Sequence, residues 1–216
     1  MRLKVYVESS VISYLTARPS NDLVKAARQT ITEAWWSENL RYFSVFVSEL
    51  VEEEITQGHP EAAAQRLAIT ANIKNLSITE EAQTIAEHLI SVQAVPAKSQ
   101  EDALHIGIAA ANGIDFLLTW NFKHIKQCMY ESGYSKGNQG TWLSMSGTLF
   151  TRRVERNIMK DDPIVEEIRR YRAEHAARYN DDLNKICDAL REREKQSKKE
   201  FVRFAPKPLK LKQYGS

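Results

Sequence analysis

The sequence predicts an α/β protein: a parallel sheet flanked by helices, then a C-terminal helical segment and an extended basic tail. The general architecture rests on three observations. Short β-rich runs alternate with helical patterns and never follow one another directly, which demands parallel strands joined by helical crossovers. Phe116-Leu117-Leu118 is apolar without alternation, as a strand covered on both faces must be. From Asp161-Asp162-Pro163 a new helical pattern of different character begins, with proline and acids at its start.

Taken in order, residues 3–7 alternate as a strand, and 11–15 open a helix that Arg18-Pro19-Ser20-Asn21 breaks. Leu23, Ala27, Ile31 and Trp35 resume helical spacing; Trp35-Trp36 reads as packing surface. Residues 43–47 form a second strand. Ser48 is the N-cap of the next helix, which buries Leu50, Val51 and Ile55. After the turn Gly58-His59-Pro60 comes a helix over 61–73, a short strand at 76–78, and a helix capped by Thr79 to about residue 92. Leu104, Ile108 and Ala111 give the next helix an apolar face, and Gly113 ends it before the 116–118 strand. Residues 129–158 lack periodicity and read as a connector. Ile164, Ile168, Tyr171 and His175 then share one face, and Leu183, Ile186, Cys187 and Leu190 another. Neither helix has enough apolar surface for a core of its own, so each needs a host. Residues 198–212 are an extended basic tail.

A 43% hydrophobic and 27% charged composition excludes a disordered chain. A net charge of +2 does not by itself argue for nucleic acid. Cys128 and Cys187 have neither metal-ligand nor disulfide spacing, and Met1-Arg2-Leu3-Lys4 runs straight into a strand. The expectation is a reducing cytoplasm. No apolar run approaches the roughly 20 residues of a membrane span, so no membrane partner is expected.

The chemistry lies in acids at equivalent topological places. Glu8 follows the first strand, Glu49 opens the helix after the second, and Asp102 opens the helix before the 116–118 strand. Asn121 ends that strand. With parallel, adjacent strands, all four converge on the carboxyl rim of the sheet, where open α/β sheets bind ligands. Such a cluster is unfavourable unless a cation or protons neutralise it, and carboxylate oxygens suit Mg²⁺ or Mn²⁺. Each acid alone also has a structural reading. Ser99-Gln100-Glu101-Asp102 fits a capping box, and Glu49 complements a helix dipole. Glu53, one turn beyond Glu49, either lines the cleft or is solvated. His105 and His124 lack zinc spacing and are taken as structural or supporting.

In order and spacing, Val5-Tyr6-Val7-Glu8-Ser9-Ser10-Val11, Phe46-Val47-Ser48-Glu49-Leu50-Val51, Asp102-Ala103-Leu104-His105 and Leu118-Thr119-Trp120-Asn121 resemble the PIN-domain ribonucleases of bacterial toxin–antitoxin pairs. The resemblance spans about residues 3–127. It implies a metal-dependent endoribonuclease that hydrolyses RNA phosphodiesters with Mg²⁺ or Mn²⁺. Glu8, Glu49, Asp102 and Asn121 would be catalytic, with Glu8, Asp102 and Glu49 as metal ligands and Ser10, Glu53 and Thr119 in support. The family generally has Asp at the place of Glu8 and an acid at that of Asn121.

Residues 159–216 resemble the small antitoxins that accompany such toxins, in Met159-Lys160-Asp161-Asp162-Pro163-Ile164 and in Tyr179-Asn180-Asp181-Asp182-Leu183. The expected organisation is a nuclease domain over 1–128, a connector over 129–158 and an antitoxin-like segment over 159–216. That segment would act in cis or in trans, with Arg203 or another tail cation brought to Glu8, Glu49 and Asp102. A guanidinium there pairs with carboxylates and displaces a metal. A homodimer is expected by resemblance, and operator DNA is a weaker candidate partner. The alternative reading is a catalytically degenerate PIN-fold interaction module within a toxin–antitoxin complex.

Overall fold

The computed structural model describes residues 2–121 and 162–206. The proposed connector therefore lies outside the described residues, as do His124, Cys128 and the tail beyond 206. Among the described residues, five parallel strands form one sheet in the order β4-β1-β2-β3-β5. They are β1 (Leu3–Val7), β2 (Phe43–Ser48), β3 (Lys74–Leu76), β4 (Phe116–Leu118) and β5 (Phe201–Val202). β1 lies between β2 and β4, with Tyr6 opposite Phe46 and Val7 opposite Leu118. The chain leaves β1 toward one side and later returns on the other, so the carboxyl end of β1 is the topological switch point.

Helices α1 (Ser9–Thr16), α2 (Leu23–Asn39), α3 (Glu49–Ile55), α4 (Pro60–Thr70), α5 (Glu80–Ser91) and α6 (Gln100–Ala111) connect these strands. Their starts follow local chemistry. Ser48 accepts from the Val51 amide and Thr79 from the Ala82 amide, each satisfying an orphan helix donor. At the end of α6, Gly113 takes φ +53° and Ile114 donates back to the Ala109 carbonyl at 3.0 Å. Gly107 is fixed by contact: a Cβ there would lie 2.1 Å from the Ala82 carbonyl oxygen of α5.

The third strand lies at Lys74–Leu76 and not at 76–78, because the helix before it ends at Thr70 and Ser48 pairs with Leu76. The carboxyl-terminal segment forms α7 (Pro163–Arg178) and α8 (Leu183–Gln196). Asp162 caps α7 by accepting from the amides of Ile164 and Val165, while Pro163 occupies the first turn. Ile164, Val165 and Ile168 of α7, with Leu183, Ile186 and Leu190 of α8, complete the same core as Val5, Val47 and Leu104. The expected host surface is thus the sheet-and-helix body itself. Part of the basic tail is β5, which adds to the edge of β3 with Asn75 opposite Phe201. Among the described residues, no helix is long and apolar enough to cross a membrane.

Candidate functional site

A buried arginine from α7 occupies the switch point. The site is assembled from the ends of separate elements. Glu8, immediately after β1, N-caps α1: its Oε2 accepts from the Ser10 amide at 3.0 Å, from the Ser10 hydroxyl and from Thr119 Oγ1 at 2.9 Å. Ser9 Oγ donates to Oε1 at 3.1 Å. Ser10 Oγ accepts from the Trp120 amide and Thr119 Oγ1 from the Asn121 amide, each at 2.8 Å, which ties α1 to the end of β4. Asp102, in the first turn of α6, accepts from Asn121 Nδ2 at 2.8 Å. Glu54 enters from α3, and His105 Nε2 lies 2.9 Å from its Oε1. Behind His105, the Tyr6 hydroxyl sits 2.8 Å from Nδ1 and 2.7 Å from Ser48 Oγ. Tyr6 donating to Nδ1, with Nε2–H donated to Glu54, satisfies both partners.

Arg172 closes the cluster. Its Nε and Nη2 donate to the two oxygens of Glu54 at 2.6 and 2.9 Å, while Nη1 donates to Asp102 and Nη2 to Glu8. The arginine side chain is 7% exposed, and Glu8, Glu54 and Asp102 between 1% and 5%. Burial opposes ionisation of Glu54. The positive charge of Arg172 and the hydrogen bonds from His105 and Arg172 outweigh it and hold the carboxyl well below its ordinary range. For Arg172 burial likewise favours the neutral form, and Glu54, Glu8 and Asp102 reverse the balance and raise its pKa.

Other cations of the same segment surround this centre. Arg169 donates to Asn121 Oδ1 at 3.1 and 2.7 Å. Arg193 of α8 pairs with Glu49 at 2.9 Å and with Glu53, and Lys199 pairs with Glu52. Glu101 is hydrogen-bonded to His175. Burial pushes Glu101 up to about 7 against the His175 bond, and that bond raises His175 against its own burial. Near neutral pH the pair therefore retains a proton.

Glu8, Asp102 and Asn121 come together as expected, with Ser10 and Thr119 orienting Glu8. Glu49 does not reach Arg172; with Glu53 it faces Arg193 on the neighbouring side of α3. The acid that α3 sends inward is Glu54, absent from the sequence expectation. Positions 49 and 53 are four apart and share a face, whereas 54 shares the face of Leu50 and Val51. That spacing is a signal, masked by the run Glu52-Glu53-Glu54 resembling a solvated face. Arg172 carries a similar signal, four residues beyond Ile168 on a buried face.

Arg203 is not the cation at the acids. It pairs with Glu81 at 2.8 Å to both carboxylate oxygens, on the exposed surface. The reason is topological: β5 lies three strand spacings from β1, about 14 Å.

No protein-family model and no curated protein matches the chain. The site therefore stands on its own chemistry. Ligand atoms of Glu8, Glu54 and His105 lie within 4.8 Å of one another, so this buried triad could hold a metal ion. The donor set fits one. It offers carboxylate oxygens and an imidazole nitrogen, and the same oxygens already bind a cation, the Arg172 guanidinium.

Proposed function

We propose that the chain is a toxin–antitoxin-type PIN-domain endoribonuclease whose active site is held silent by its own antitoxin-like carboxyl-terminal segment. The observation that carries this reading is Arg172: a cation from α7 bound to acids from three different elements at the sheet's switch point. Buried carboxylates demand a positive partner. With α7 withdrawn, that partner would be Mg²⁺ or Mn²⁺, held by Glu8, Glu54 and Asp102 with His105 at hand. Such an ion supplies a Lewis acid for a phosphoryl oxygen and lowers the pKa of its water.

The chain's own residues do the positioning. Ser10 and Thr119 fix the rotamer of Glu8. The Tyr6–His105 pair, braced by Ser48, aims Glu54, while the Asn121 amide holds Asp102. In the silent state α7 and α8 cover the cluster, their apolar faces completing the core.

The test compares full-length wild type with R172A/R193A, using a labelled RNA and Mn²⁺. The expectation is a silent wild type, an active double variant, and loss of that activity when E54Q is added. A double variant that neither cleaves RNA nor binds Mn²⁺ by calorimetry ends the catalytic reading. Such a result favours the second one, a degenerate interaction module. The observation on its side is that the Asn121 amide is spent on Asp102, leaving a neutral oxygen, bound by Arg169, where the family carries an acid.

A further inference from the structure

Beside the acid cluster runs a cavity of about 520 Å³, between α1, the loop after it, α4 and α7. This lies within the roughly 300–1,000 Å³ range of ligand-binding clefts. Its wall from the amino-terminal body carries Arg18, Lys25 and Arg66, against Glu61, and the buried Glu54 also lines it. Arg66 is held through its side chain and Arg18 through its backbone. Arg66 donates from Nε to the Ile55 carbonyl at 2.9 Å and from Nη2 to the Gln57 carbonyl, so it is fixed at the end of α3. Gln29 pins the loop bearing Arg18, donating to the carbonyls of Ala17 and Arg18 at 3.0 and 2.9 Å and accepting from the Ser20 amide at 3.1 Å.

The opposite wall belongs to α7, where Glu167 accepts from the Tyr171 hydroxyl at 2.8 Å. The charge of Glu167 acts on Arg66, opposing the effect of burial on that guanidinium. One helix therefore presents two charges in complementary places: Arg172 upon the acids, and Glu167 across from the basic wall. A bound cation beside a phosphodiester would present the same pair.

Building on the ribonuclease reading, we infer that this cavity is the track for the phosphodiester backbone of single-stranded RNA. Arg18, Lys25 and Arg66 are its phosphate contacts, and Glu167 of α7 stands where a phosphate would. Phosphate contacts position a strand without reading its sequence and make its binding salt-dependent.

The experiment uses the full chain in EDTA, with fluorescence anisotropy of a labelled oligouridylate across a salt series, so hydrolysis does not enter. Relative to wild type, E167Q raises affinity several-fold. Adding R18A and K25A to E167Q lowers it about tenfold and flattens the salt slope by about 1.4, at roughly 0.7 per single-strand phosphate contact. All three substitutions lie on exposed or half-buried positions, so folding is preserved and checked by circular dichroism. Unchanged affinity and slope in the triple variant overturn the assignment, as does equal competition by polyglutamate, which marks an unselective anion surface. If binding shifts as expected while R172A/R193A fails to cleave RNA, the track stands and the nuclease reading falls. Cleavage without the binding shifts overturns the track and leaves the nuclease reading in place.

Discussion

Arg172 grips Glu54 through a two-pronged contact, Nε and Nη2 lying 2.6 and 2.9 Å from the two carboxylate oxygens, although 118 residues separate them in sequence. The same guanidinium reaches Glu8 and Asp102, so one positive charge is shared among three buried acids. Removing one partner of a buried ion pair costs far more than the pair contributes on balance.

R172A is therefore expected to lower unfolding free energy by roughly 3–5 kcal/mol, the range for stranding buried charge. Mn²⁺ should return part of that loss by binding the vacated acids. Urea unfolding of the variant with and without Mn²⁺ measures both effects. Equal midpoints for wild type and variant would mean that Arg172 is not the countercharge.

Glu194 of α8 gives a pH signature. Burial pushes its carboxyl up to about 7 from the ordinary 4.5, against the Ile78 amide that donates to it at 2.8 Å and with help from the charge of Glu49. Between those values the folded chain holds a proton that the unfolded chain releases. Its contribution to stability thus falls as pH rises from about 4.5 to 7. E194Q should leave thermal stability little changed at pH 5 and raise it relative to wild type at pH 8. A pH-independent difference in melting temperature would contradict this.

Gly107 sets the spacing of α6, the helix that carries Asp102 and His105. G107A places a methyl against the Ala82 carbonyl, so α5 and α6 must separate. A loss of at least about 1–3 kcal/mol is expected from overpacking, read as a lower melting temperature. Retained wild-type stability would show that the two helices separate without cost.

Cys187 reports on docking of the carboxyl-terminal helices. It is fully buried on α8, and burial pushes its thiol up to about 12. In a C128S background, alkylation at pH 8 should be very slow in wild type and at least tenfold faster in R172A/R193A, followed by mass spectrometry. Equal rates would mean that Arg172 and Arg193 do not hold these helices down.

Much of the architecture is legible from pattern. Alternating strands and helices announce a parallel sheet, Ser48 and Thr79 announce helix starts, and Gly113 announces a helix end. Glu8, Asp102 and Asn121 can be placed together because each follows or precedes a strand of that sheet. Glu54 is hidden because three successive acids resemble a solvent face, although only one of them turns toward His105. Arg203 stands out ahead of Arg172 because a tail composition is visible in sequence, whereas the partner of a helix face is not.

The sequence by itself determined the parallel α/β body, the acids at the ends of its elements and the need of two one-sided helices for a host. Local periodicity and capping act over a few residues, and they are written in the chain directly. Only the tertiary structure decided that the host is this same body and that Arg172, not Arg203, meets the acids. It alone decided that β5 extends the sheet beside β3. Those outcomes depend on charge pairing and packing between residues far apart along the chain, 70 to 164 positions for Arg172 and its acids, where spacing carries no information about proximity.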